Sequence, residues 1–175
     1  MSGPFQTHFR SFARYNRWTN TQLYEAAARL SPEALAQDRG AFFKSVLGVL
    51  NHLLVADRIW LARLRGNGPS TYRLDEILHE TLDELAQARA LEDQSLIDFI
   101  FALEEPAYTG MLEYKTSTGT GYSQKLHDVL AHVFNHQTHH RGQAHDLLCQ
   151  SLGGENAPSL DLLIYQRFAA AEDKP

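Results

Sequence analysis

The stretch Leu126-His-Asp-Val-Leu-Ala-His132-Val-Phe-Asn-His136-Gln-Thr-His139-His140-Arg-Gly-Gln143-Ala-His145-Asp-Leu-Leu148 decides the fold. Its apolar residues recur at steps of three and four, the period of an α-helix. On a wheel of about 100° per residue with His136 at zero, Val129 and Leu147 fall about 20° away, Val133 about 60°, and Leu130 and Leu148 about 120°. The apolar stripe therefore centres near about 60°, and His136 and His140 lie inside it. His132 and His139 fall on its edge, and His145 points nearly opposite.

Outward from this helix, Gly, Pro and polar clusters cut the chain into few pieces: Ser31-Pro32, Asp38-Arg39-Gly40, Gly66-Asn67-Gly68-Pro69, the stretch 104–121, and 153–158. Four helix-sized segments remain, at 5–30, 41–65, 71–103 and 123–152. In the first, Phe5, Phe9, Phe12, Ala13, Leu23, Ala27 and Leu30 share one face with Asn16 and Asn20. Those two amides must either satisfy each other and the backbone or support a polar site in the core. The second segment is apolar almost all round, with His52 at its middle. The third has Ser70 or Thr71 as its N-cap and a polar stretch, Glu92 to Ser95, where it is expected to bend or split. Between the third and fourth, the Thr-Gly and Gly-Thr-Gly turns of 108–122 suit a small β-hairpin. Leu160 to Ala171 is long enough for a short closing helix. The pattern predicts an all-α chain, 1–175, folded as a single four-helix bundle domain.

Composition narrows the function. The 175 residues are 43% apolar, enough for a real core, and carry a net charge of −5. That charge argues against a nucleic-acid partner. No window approaches the roughly 20 apolar residues of a membrane span. A single cysteine, Cys149, allows no internal disulfide, and 1–17 lacks a signal-peptide core, so a cytoplasmic location is expected.

Nine histidines, five of them between His132 and His145, are the unusual feature. His136 and His140 stand one turn apart on one face, close enough to share a cation. Two neighbouring imidazoles in a core each carry a desolvation cost, which a metal resolves and which otherwise demands polar partners for four ring nitrogens. A facing helix can supply a third ligand, and His52, near the middle of its helix, is the candidate. Three histidines leave at least one position open, the pattern of a catalytic site rather than a closed structural one. Asn16, Asn20 and Gln143 are candidate outer partners, and Asp57, Tyr114 and Tyr122 are looser ones. Cys149, about three turns from His136, is too distant to join.

Several chemistries are missing. No Glu follows the first His of the His-x-x-x-His pair, so the zinc-protease arrangement and its general base are absent. There is no phosphate loop, dinucleotide fingerprint or nucleophile elbow, and the chain has one Glu-x-x-His, Glu76 to His79, where a diiron site needs two. No catalytic residue is identifiable.

The run His132 to Gln143, with Tyr15-Asn16-Arg-Trp18-Thr-Asn20 and Asn51-His52-Leu-Leu-Val-Ala-Asp57, resembles the DinB family of bacterial metalloenzymes, related to the YfiT-like proteins. The resemblance runs from about 5 to 168, and its His-x-x-x-His-Arg-Gly-Gln piece is the most specific part. It implies a bundle of up-down-down-up topology, often a homodimer, with zinc or nickel held by His52, His136 and His140. The family's name refers to DNA-damage induction of some members, a matter of regulation. Some relatives in the wider superfamily are metal-dependent transferases or isomerases that use low-molecular-weight thiols.

Three functional expectations follow: a thiol transferase acting on a small electrophile, a metal-dependent hydrolase of a small substrate, or a non-catalytic metal-binding stress protein. Histidines that are merely hydrogen-bonded are the fourth outcome. For assembly, Leu47, Leu50, Leu54 and Leu61 give the second helix more apolar surface than one core needs, so either a second copy, or the hairpin or 160–171 of the same chain, is expected to cover some of it.

Overall fold

The computed structural model describes residues 2–68 and 71–168. These form six α-helices and one two-stranded antiparallel sheet: α1 (Pro4–Ala27), α2 (Pro32–Ala36), α3 (Val46–Leu64), α4 (Leu82–Ala102), β1 (Met111–Lys115), β2 (Gly121–Lys125), α5 (Leu126–Leu152) and α6 (Leu162–Arg167). Short polar side chains set most starts. Ser45 accepts from the Gly48 amide to begin α3, Thr81 from Glu84 to begin α4, and Asp161 from Leu163 to begin α6. Gly153, at φ 87°, ends α5 in a conformation that other residues rarely take.

Contacts along the helices set their directions. Gln6 reaches Leu103 and Asn16 reaches Asp93, so α1 and α4 run antiparallel. Phe9 meets Phe134 and Asn16 meets Arg141, so α1 and α5 run parallel. Trp60 meets His132 and His52 meets His140, making α3 antiparallel to α5. Arg89 pairs with Asp57, and Arg65 with Ser95, making α3 parallel to α4.

Two apolar clusters form the core. One gathers Leu23, Leu50, Leu54, Leu85 and Leu148, and the other Phe9, Leu61, Leu96, Ile100, Tyr108 and Leu130. On every long helix a buried polar residue lies between the two: Asn16 and Asn20 on α1, Asp57 on α3, Arg89 and Asp93 on α4, Gln137 and Arg141 on α5. Among the described residues no helix is long and apolar enough to cross a membrane.

Several expectations change. The third helix starts at Leu82, not at 71; residues 71–81 form an irregular strap, and Ser70 lies outside the described residues. The expected break at Glu92 to Ser95 is absent, because Asp93 is buried and partnered rather than solvated. The hairpin lies at 111–125 instead of 108–122, while Tyr108 is fully buried in a 3-10 turn. The closing helix covers 162–167 of the expected 160–171, and 169–171 lie outside the described residues. Helix α2 was not anticipated. Leu47, Leu50, Leu54 and Leu61 are all buried within one chain, so the apolar surplus of α3 gives no ground for a second copy.

Candidate metal centre

The sequence places His52 mid-way along α3 and His136 and His140 one turn apart on α5. The packing of α3 on α5 brings the three together. Ring centroids lie 5.2 Å apart for His52 and His136, 4.3 Å for His52 and His140, and 4.4 Å for His136 and His140. One ring nitrogen from each falls within 4.8 Å of the other two, a grouping that can hold a metal ion. His52 is buried, and the other two are half-buried.

Two of the rings have their tautomers fixed from behind. His52 Nδ1 lies 2.8 Å from the carbonyl oxygen of Leu74, which can only accept, so Nδ1 carries the proton. His52 Nε2 is then a bare lone pair, sealed from solvent and without any hydrogen-bond partner. His140 Nδ1 donates to Gln143 Oε1 at 2.8 Å, leaving its Nε2 unprotonated. Gln143 is itself held through its amide nitrogen, 3.3 Å from His139 Nε2. Imidazoles anchored through one nitrogen with the other directed at a common point are the usual support of a metal. A buried orphan lone pair and an all-imidazole donor set fit a borderline divalent ion such as zinc or nickel.

Electrostatics agrees with neutral rings. Burial pushes His136 down to about 3, helped by the neighbouring His140 and His52. Burial likewise pushes His52 down to about 4 and lowers His140. Near neutral pH all three keep their lone pairs, the form a metal requires.

The strap at 71–81 explains the Leu74 carbonyl. Asn51, next to His52, accepts from the amides of Leu78 and His79 and donates to the His79 carbonyl, clamping the strap over α3. Phe43 covers another side, stacked on His52 at 3.8 Å between centroids. Its carbonyl oxygen presses so close to α3 that a Cβ at Gly48 would collide with it, which requires glycine there. Neither Asn51 nor Phe43 was identified from sequence. The only available signal was an amide next to a histidine inside an otherwise apolar helix.

The remaining candidates divide. Gln143 touches the triad. Asn16 and Asn20 do not; both donate to Asp93, and Asn16 Oδ1 accepts from Arg141. Asp57 pairs with Arg89 at 2.8 Å and accepts from Gln137 at 2.6 Å, so it too belongs to the central polar layer. Tyr114 and Tyr122 stack on each other in the hairpin, with Tyr114 against Trp60. His145 points away and bonds the Pro158 carbonyl, with Cys149 beside it.

With this geometry in view, the comparisons with known proteins agree with the resemblance. Residues 1–174 match the DinB family. Protein DinB of Bacillus subtilis (strain 168) is 26% identical over 152 residues, covering 83% of this chain and 86% of that protein.

Proposed function

The chain belongs to the DinB family, and from that premise and the three convergent imidazoles we propose that it is a metal-dependent transferase joining a low-molecular-weight thiol to a small electrophile. The observation that carries the reading is the buried, unpartnered Nε2 of His52, directed at His136 and His140. His52, His136 and His140 would hold one divalent ion, zinc or nickel. Such an ion supplies a Lewis-acidic position at which a thiol loses its proton near neutral pH.

The chain's own residues prepare that position. Leu74 and Gln143 orient two of the rings, and Phe43 shields the His52 side from water. His136 and His140, only half-buried, leave an approach for a small partner. The four long helices are best read as a four-helix bundle of up-down-down-up topology, a reading supported by the parallel and antiparallel contacts of α1, α3, α4 and α5.

Metal analysis of protein purified without an affinity tag tests the site: about one divalent ion per chain is expected in the wild type and none in His136→Ala. Unchanged metal content in that variant would reject the assignment. A thiol-conjugation assay on the loaded protein then tests the reaction.

A further inference from the structure

Because α3 and α5 run antiparallel, a row of ring side chains leads from the triad past His132 toward the end of α3 and the base of the hairpin. The His136 and His132 rings lie 5.9 Å apart, and His132 and Trp60 5.0 Å. At the far end of this row stands Arg63, whose guanidinium lies 4.6 Å from the Trp60 ring centre and 5.4 Å from that of Tyr114. Its Nε is sealed from solvent without a hydrogen-bond partner, and among the described residues no carboxylate pairs with it.

Arg10, Arg29, Arg39 and Arg65 also lack a carboxylate among the described residues, but each donates to a carbonyl, amide or hydroxyl oxygen, as Arg63 does not. The fully buried guanidiniums are met, Arg89 by Asp57 and Asp93 and Arg141 by Asn16. Arg63 instead borders a cavity of about 290 Å³ between the end of α3 and β1, whose wall adds the cation of Lys115 and the anion of Glu113. The aromatic rings fix the guanidinium in place without neutralising it. To Arg63 the helix rises about 16 Å from His52 and about 10 Å from Ala56, which stands level with His136, a span for a short peptide-like molecule.

We propose that this cavity is the anion-recognising end of the reaction site, where Arg63 binds a carboxylate of a small thiol whose sulfur end lies at the triad. The proposal rests on the reading of the triad as the reaction centre and adds the class of the thiol: one that carries a carboxylate. A planar guanidinium with unfilled donors suits that group, because it can offer two parallel N–H bonds to the two oxygens.

The test uses zinc-loaded full-length protein, with zinc content measured on every sample. Calorimetry compares glutathione with its diethyl ester, which keeps the thiol and loses both carboxylates. Wild type should bind glutathione at least about tenfold more tightly than the ester. Arg63→Gln should abolish that preference while leaving zinc content and ester affinity unchanged, and Arg63→Lys should keep part of it. S-methylglutathione, which offers no thiolate, should also bind at least about tenfold more weakly to Arg63→Gln. Absence of zinc from the wild type would sink the triad reading alone, and the S-methylglutathione comparison would still decide the cavity. Equal binding of glutathione and ester by wild type, or a preference surviving in Arg63→Gln, would overturn the proposal. A variant that only melts earlier, with its preference intact, would reduce Arg63 to a support of the helix end. If Arg63→Gln does not fold, the Nε–H resonance of Arg63 in wild type decides: it should shift with S-methylglutathione and stay in place with the diester of that compound.

Discussion

Two polar clusters sit at the same level of the long helices, and they solve the cost of burial in opposite ways. The central layer pairs its charges within the chain, although Asn20 Oδ1, Gln137 Oε1 and Arg89 Nε and Nη1 are buried without a hydrogen-bond partner. Arg89 lies 2.8 Å from Asp57 and 3.0 Å from Asp93, Asn16 and Asn20 donate to Asp93, and Gln137 donates to Asp57. Two carboxylates face two guanidiniums, and charge is balanced within the chain. The triad on the outer side of α3 and α5 does not close. Its anchored rings spend their protons on Leu74 and Gln143 and turn bare lone pairs toward one another, a set of donors that a metal cation can satisfy. A buried charge met by opposite charges from the same chain reads as structure. A buried polar group whose partners all stand on the wrong side reads as a binding site.

The largest effect expected from this contrast comes from opening the closed cluster. Asp93→Ala strips Arg89 of one partner and leaves Asn16 and Asn20 without their acceptor. Removing one member of a buried ion pair typically costs about 3–5 kcal/mol, because the remaining charge stays uncompensated. Urea denaturation should show a loss of that size. A loss below about 1 kcal/mol would mean that water or a shifted neighbour replaces the carboxylate, and the layer would not be a closed structural network.

The same contrast explains what the sequence made legible. His136 and His140 were readable because both lie on one helical stripe, and His52 because a central histidine in an apolar helix has few roles. The central layer was half-readable: Asn16 and Asn20 announced a need for partners, but Asp93 lies more than 70 positions away, and no local pattern connects them. Glu92 to Ser95 looked like a break because polar runs usually face solvent, whereas Asp93 is turned inward and balanced by Arg89. Leu74 and Leu78 keep a helical spacing, so 71–81 passed as helix; Asn51 captures the backbone groups of that strap and holds it irregular. Tertiary hydrogen bonding won over local period at that point.

The open cluster should betray itself through pH, in metal-free protein. His52 and His136 are held at about 4 and about 3, below the ordinary histidine value of about 6.5. The unfolded chain therefore takes up protons below about 6.5 that the folded chain refuses, and stability should fall as the pH drops from there toward 4 and 3. Above about 6.5 both states are neutral and these rings add no slope. Asp57, raised by burial, works in the opposite sense, since its protonation on acidification favours the folded state. The diagnostic quantity is thus the difference between wild type and a His52→Ala, His136→Ala double variant, followed by thermal melts in chelator. The variant should lose less stability over that interval; parallel curves would mean the rings are not held neutral by the fold.

The smallest expected effect sharpens the contrast at a single hydrogen bond. Gln143 is half-buried on α5 and bonds to His140 Nδ1 at 2.8 Å. Gln143→Ala removes no ligand atom and leaves the central layer intact, so folding should be nearly unaffected. What it removes is the acceptor that keeps the proton on Nδ1 and the lone pair on Nε2. His140 is then free to rotate or to exchange tautomers, and metal binding must supply the ordering that Gln143 gave in advance. Losing such an outer partner typically weakens metal affinity by about 10–100-fold, or about 1.4–2.7 kcal/mol. Competition against a chromophoric chelator measures it, and Gln143→Glu serves as the companion. A glutamate keeps the acceptor and adds charge, so it should restore or exceed wild-type affinity. If both substitutions weakened binding equally, His140 would not depend on a hydrogen-bond acceptor at this position, and its orientation would have to come from packing against Phe43 and His139.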